Sequence, residues 1–314
     1  MLRFDVKESK KLRVIIDTDT ACEADDPFAI AYALMSPKLI VKAVVAEHFA
    51  RPGSMEKSFE AARKVTEAMR SAVPVLHGEE GPEETGGISE GVEAMIREAR
   101  TEDSHPLFIL CMGALTNVDR ALREAPDIAP AVTIVTIGGH GYETSPIPWR
   151  EFNFGNDVAA ANRVLQSGAE VWQIPADVYG TIRVGLAELQ EQVMPYGAIG
   201  RYLFEQMVTY NATPEADWTA GESWSLGDSP AVAAVLHPAC GHFGPQKVKT
   251  VNEDTSYSPL EGGREIRVYR DLDSRYLLGD FYAKLHLLFP PGGLTPETYK
   301  KKTEENKNGD ERET

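Results

Sequence analysis

Short aliphatic runs alternate along the chain with longer stretches in which apolar residues recur every three or four positions. Val14–Ile16, Leu39–Ala46, Val73–Leu76, Leu107–Cys111, Val132–Ile137, Val171–Ile174 and Glu265–Tyr269 read as strands. Most are apolar without alternation, the pattern of strands covered on both faces. Helical spacing follows most of them. Phe28, Ile30 and Leu34 mark one helix, and Met55, Phe59, Ala62, Val65 and Met69 a second. Further helices are expected from Ser89 to Ala99, Thr116 to Leu122, about Asp157 to Gln166, Ala187 to Tyr210, from Ser229 onward, and through Leu277, Phe281, Leu285 and Leu288.

This alternation predicts an α/β fold of the Rossmann-like kind: one mostly parallel central sheet with helices on both faces. In such sheets ligands sit beyond the carboxyl ends of the strands. Asp17 and Asp19, Glu47 and His48, Met112-Gly113 and Gly138-Gly139 all fall at expected strand ends, so that edge is the expected site. No repeat or linker divides the middle of the chain. The expected organisation is an extension at 1–11, one domain at 12–290, and a charged tail at 291–314 too poor in apolar residues to order itself. Loops are expected at 78–87 and 141–150, and an irregular wall over Asp217 to Asp228.

Composition narrows the partners. A formal charge of −16 argues against nucleic acid, whose phosphates demand clustered Lys and Arg. No apolar run approaches the ~20 residues of a membrane span, and the charged first 11 residues lack a signal-peptide apolar region, so a cytoplasmic protein is expected. Cys22, Cys111 and Cys240 are too scattered for a disulfide framework or a zinc knuckle.

The densest chemistry lies where the first strand ends. Asp17, Asp19, Asp25 and Asp26 occupy one short loop, with Glu23 between them. Acids held this close need protonation, hydrogen bonds or a cation, and a hard divalent ion, calcium or magnesium, meets that need. Three other readings compete. Asp25 could merely cap the following helix, where Pro27 suits the first turn, while the other acids face solvent. An EF-hand is excluded, because Ala21 and Cys22 stand where it requires a ligand and a glycine. A phosphatase of the haloacid dehalogenase type also begins with a strand running into Asp-x-Asp, with Asp17 as nucleophile. It departs at Ala21, and at Gly227-Asp228, which is followed by Ser-Pro-Ala-Val rather than by another aspartate.

Taken together, Asp-Thr-Asp…Asp-Asp at 17–26, Met112-Gly113-Ala114-Leu115-Thr116-Asn117, Gly138-Gly139, Glu151-Phe152-Asn153 and the late Asp228 resemble the inosine/uridine-preferring nucleoside hydrolase family over about residues 12–290. The resemblance implies calcium-dependent hydrolysis of a ribonucleoside, or a close ribosyl analogue, to ribose and free base. It implies that Asp19 holds a calcium-bound water and acts as general base, and that Asp26, Asp228 and the Met112 carbonyl complete the calcium ligands. Asp25, with Glu151 and Asn153, would bind the sugar, Asp17 would be a supporting carboxylate, and a homo-oligomer would be expected. The chemistry agrees: breaking an N-glycosidic bond builds positive charge on the sugar, which carboxylates stabilise. Without the other blocks, Glu151 and Asn153 read instead as a helix-capping loop.

Departures from the family cluster around the base. The loop Thr20–Ala24 is longer than usual and lacks Pro-Gly, which brings Glu23 toward the metal. Gly227 stands where many members have a histidine able to protonate the departing base, His48 where an asparagine usually steadies the first aspartates, and Ser145 near the position of another asparagine. His48, Trp224, His140 and Tyr142 are candidates to protonate or stack on the base, each with a plain structural role as the alternative. A binding protein without turnover is the remaining functional alternative.

Overall fold

In the computed structural model, residues 1–83, 86–142 and 149–291 are described. The chain runs through β1 (Leu12–Thr18), α1 (Asp26–Leu34), β2 (Leu39–Ala46), α2 (Ser54–Ala68), β3 (Val75–His77), α3 (Glu90–Ala99), β4 (Leu107–Met112), α4 (Thr116–Glu124) and β5 (Val132–Ile137). It continues through α5 (Phe152–Asn156), α6 (Val158–Leu165), β6 (Glu170–Ile174), α7 (Ala176–Tyr179), β7 (Arg183–Gly185), α8 (Leu186–Gln192), α9 (Gly197–Asn211), β8 (Ser223–Ser225) and α10 (Ser229–Leu236). β9 (Phe243–Lys247), β10 (Thr250–Val251), β11 (Tyr257–Ser258), β12 (Glu265–Tyr269) and α11 (Ser274–Leu288) complete it.

The main sheet has the order β3-β2-β1-β4-β5-β6-β12-β9, and every pair is parallel except β12 with β9. Side chains alternate across it, so Val14, Ile16, Leu110 and Val135 face one core while Ile15, Ile109 and Ile134 face the other. The first core is closed by α1, α9, α10 and α11, where Phe28 and Tyr32 pack on Phe281. The second is closed by α3, α4 and α6. Both faces are buried under helices, which matches central strands with few polar residues.

From β1 the chain winds outward to β2 and β3, then returns to place β4 on the other side of β1. That reversal opens a crevice at the carboxyl ends of β1 and β4, where Thr18 pairs with Met112. Only glycine fits next. A Cβ on Gly113 would lie 2.9 Å from Asp19 Cγ and 3.2 Å from its backbone nitrogen.

Several expectations differ in detail. The helix expected from Ala187 to Tyr210 is two helices, because Pro195 cannot continue α8 and Gly197, at φ +72°, turns the chain into α9. The wall before Asp228 contains β8, which pairs antiparallel with β7. The extension 1–11 packs on the body through Glu8, whose carbonyl and carboxylate both meet the His105 ring. Residues 84–85 of the first expected loop, 143–148 of the second, Ser145 included, and 292–314 of the expected tail lie outside the described residues. Among the described residues no helix is long and apolar enough to cross a membrane.

Candidate active site

β1 delivers Asp17 and Thr18 at its end, and Asp19 just beyond. The loop then folds back so that α1 starts at Asp26, with Pro27 in its first turn. Asp25 sits at the N-cap position of α1, yet its side chain makes no capping hydrogen bond; its carbonyl receives Phe28 N–H instead. α10 repeats this arrangement with Asp228 and Pro230. Both carboxylates are thereby turned into the crevice, while two helix N-termini lend it their partial positive charge.

The result is a cleft at the carboxyl edge of the sheet, open to solvent on one side. Asp19, Glu23, Asp25, Asp26, Met112, Asn153 and Asp228 all line it. Carboxylate oxygens of Asp25, Asp26 and Asp228 lie within 4.8 Å of one another. The hydroxyl of Thr18 donates to Asp26 Oδ1, whereas the buried Asp19 Oδ2 has no hydrogen-bond partner among the described residues. Burial, and then the charges of their neighbours, push Asp19, Asp25 and Asp228 well above the usual carboxylate range. Burial outweighs the Thr18 hydrogen bond and pushes Asp26 up to about 6; with Asp26 nearby it pushes Glu23 up to about 7. An orphaned buried oxygen among hard oxygen donors fits a divalent cation, so the aspartate cluster could hold a metal ion.

Other expected residues lie elsewhere. Asp17 is buried beneath the cleft with Oδ1 on Asn117 Nδ2 at 2.9 Å, and burial pushes it up to about 7. It does not line the cleft, so the phosphatase reading, which needs Asp17 as an exposed nucleophile, is set aside. His48 is fully buried and both ring nitrogens are engaged. Nδ1 accepts Ala50 N–H at 3.1 Å, which leaves Nε2 to donate to Thr116 Oγ1 at 2.7 Å, and Thr116 in turn donates to Asp157. Burial lowers its pKa to about 4, so it is a neutral structural link rather than a substrate contact. Trp224 is buried against Tyr210 and Trp218 and is not among the cleft residues. His140 bonds the Trp149 carbonyl and Tyr142 stacks on Tyr257, so neither reaches the cleft.

Glu151 stands behind Phe152 and Asn153 and is not among the cleft-lining residues. It caps α5, and its two oxygens accept from the N–H groups of Gly139, Asn153 and Phe154 and from the hydroxyl of Tyr179. These four donors match the four lone-pair sites of a carboxylate. Asn153 does reach the cleft; its Nδ2 donates to the Ile137 carbonyl, leaving the carboxamide oxygen for a ligand.

A family profile described as inosine-uridine preferring nucleoside hydrolase matches residues 14–279. The chain belongs to this family. It is 30% identical over 256 residues to the pyrimidine-specific ribonucleoside hydrolase RihA of Salmonella agona, an alignment covering 73% of this chain and 78% of that protein. Among solved structures, the plant nucleoside hydrolase PpNRh1 superposes with a TM-score of 0.71 at 20% identity, and the purine-preferring ribonucleoside hydrolase of Gardnerella vaginalis with 0.69 at 23%. Each of these covers 87% of this chain and 98% of the other, and at such identity they show a shared fold. The chain is therefore a hydrolase of N-glycosyl compounds.

This nucleoside hydrolase also lines its cleft with residues that sequence reasoning passed over: Cys22, Ile137, Phe152 and above all Tyr179. The signal for Tyr179 in the sequence is its place just beyond the end of β6. Asn117 was seen only as part of a matching block. It bonds Asp17 and the Ala46 carbonyl and accepts Glu79 N–H, holding three segments beneath the cleft.

Proposed function

We propose that this enzyme hydrolyses the N-glycosidic bond of a ribonucleoside, or a close ribosyl analogue, to free ribose and base, with calcium as its metal. The observation that carries the reading is the meeting of Asp19, Asp25, Asp26 and Asp228 in one cleft at the strand-order reversal, with Asp19 Oδ2 left unpartnered. Asp26, Asp228, Asp19 and the Met112 carbonyl would hold the ion. Calcium accepts about six to eight oxygens in loose geometry, which suits a site crowded with carboxylates better than magnesium's strict octahedron. When bound, the ion supplies positive charge that lowers the pKa of the attacking water and orients vicinal hydroxyls.

The remaining chemistry belongs to side chains. Asp19 Oδ2 takes the proton of the water that attacks the anomeric carbon. The bond to the base nitrogen breaks, its electron pair departs with the base, and the base takes a proton from solvent, which later receives the one held by Asp19. Asp25 accepts hydrogen bonds from ribose hydroxyls, and the Asn153 carboxamide oxygen accepts another on the facing wall. The negative cleft stabilises the oxocarbenium-like charge as it develops.

The test is a reducing-sugar assay on a panel of purine and pyrimidine ribonucleosides, with calcium and after chelation. Chelator-sensitive ribose release, reduced at least ~100-fold in Asp19→Ala, is expected, since general-base catalysis is worth roughly 10²–10⁴-fold. Nucleoside binding without turnover by the calcium-loaded protein would replace this reading with that of a ribosyl-binding relative.

A further inference from the structure

We infer that Tyr179 is a positioning and specificity-determining residue that joins the two walls of the cleft and sets the room left for the departing base. The inference rests on the ribonucleoside reading above. Tyr179 ends α7, the short helix at the carboxyl end of β6, and its side chain lines the cleft. Its hydroxyl donates to Glu151 Oε1 at 3.0 Å on one wall. Its ring lies against Gly227 on the other: a Cβ at 227 would stand 3.1 Å from Tyr179 Cδ2 and 3.3 Å from Asp25 Oδ2. The Tyr179 carbonyl accepts from Ser225 Oγ at 3.1 Å, which ties α7 to the strand leading into Gly227 and Asp228.

These contacts give the ring and the hydroxyl separate tasks. The hydroxyl is the one side-chain donor among the four groups on Glu151, the others being backbone N–H groups. It holds that carboxylate on the turn that presents Phe152 and Asn153 to the cleft. The ring takes up the space that a side chain at 227 would need, so a large residue at 179 and none at 227 form a complementary pair. A flat leaving group placed on this side would meet the Tyr179 ring, and a one-ring base would be favoured there over a two-ring one.

The experiment compares kcat and KM for uridine and inosine in calcium-loaded wild type, Tyr179→Ala, Tyr179→Phe, Gly227→Ala and the Tyr179→Ala/Gly227→Ala double variant, with melting curves for each. Tyr179→Ala is expected to raise inosine relative to uridine, in kcat/KM, by roughly tenfold or more, the usual scale for a change of pocket shape. Tyr179→Phe should keep the wild-type ratio, because the ring remains, while lowering kcat/KM for both. Gly227→Ala should raise KM in the wild-type background and much less in the Tyr179→Ala background, since the clashing ring is gone. A purely structural role would depress both substrates equally and leave the ratio fixed, and that result overturns the inference. If Tyr179→Ala does not fold, a Gly227→Ala KM equal to wild type overturns it as well. Wild type inert toward every nucleoside would overturn the ribonucleoside reading and this inference with it, whereas active wild type with an unmoved ratio overturns this inference alone.

Discussion

Replacing Asp228 by Asn should stabilise the ion-free protein while abolishing its activity. Oxygens of Asp25, Asp26 and Asp228 lie within 4.8 Å of one another. At an effective dielectric of about 20, two full charges at that distance repel by about 3.5 kcal/mol, so Asp228 facing two neighbours would suffer about 7 kcal/mol. Protonation sets a lower ceiling. Keeping a carboxyl with an ordinary pKa near 3.8 protonated at pH 7 costs about 4 kcal/mol, from roughly 1.4 kcal/mol per unit over about three units. The cluster sheds charge because that is cheaper, which is why burial and neighbours push Asp228 up. Asn keeps the shape, needs no proton, and loses no cap, since Asp228 makes no capping hydrogen bond. The expected gain is about 2–4 kcal/mol in chelator at pH 7, or roughly 3–6 °C in Tm for a chain of this size. Excess calcium should reverse the order, because the wild type gains binding free energy that the variant has largely lost. Urea unfolding at pH 7, in chelator and in calcium, measures both effects. If Asp228→Asn proves less stable than wild type in chelator, the carboxylates are neutralised by something other than their own protons and the reasoning fails.

Two further outcomes follow from the same chemistry. Ion-free wild type should lose stability as pH rises from about 4 to 7. Asp26 at about 6, with Asp17 and Glu23 at about 7, titrates above its unfolded value, so in that window the folded state binds more protons than the unfolded one. Calcium should flatten the slope, and melts across that range in chelator and in calcium provide the check; stability rising over the window would contradict it. Asn117→Leu should cost about 3–5 kcal/mol by urea unfolding, because it strands Asp17, the Ala46 carbonyl and Glu79 N–H in a buried setting where each orphaned group costs roughly 1–3 kcal/mol. A loss under about 1 kcal/mol would mean that water replaces all three contacts.

Elements bounded by sharp chemical contrast were legible in the sequence. Leu39–Ala46, Val132–Ile137 and Glu265–Tyr269 form strands with those limits, because an aliphatic run ending at a turn or a charge has one economical state inside a sheet. The stretch from Ala187 to Tyr210 misled because its apolar spacing continues across Pro195 and Gly197, and periodicity does not register a change of direction. The acids of the site were legible for a related reason. Asp19, Glu23, Asp25 and Asp26 within one loop demand a local explanation, and the cleft receives all four.

Side-chain direction in loops has no such signal. His48 stands at the end of β2 as Asp19 stands at the end of β1, yet its ring turns inward to Ala50 and Thr116. Glu151 reads as a sugar ligand by resemblance, and no pattern in the sequence shows the four donors that its carboxylate meets in the fold. The wall opposite the acids is harder still, since a glycine, a tyrosine and a phenylalanine are ordinary core and turn residues anywhere in a chain. What distinguishes Gly227, Tyr179 and Phe152 is only that β6, α10 and α5 bring them to the same crevice. A cluster of like charges announces itself because it is costly wherever it occurs, whereas a shape-selective surface is made of inexpensive residues and exists only once the sheet order is known. That asymmetry is why the acidic cluster stands out in the sequence, whereas the Gly227, Tyr179 and Phe152 wall is visible only in the fold.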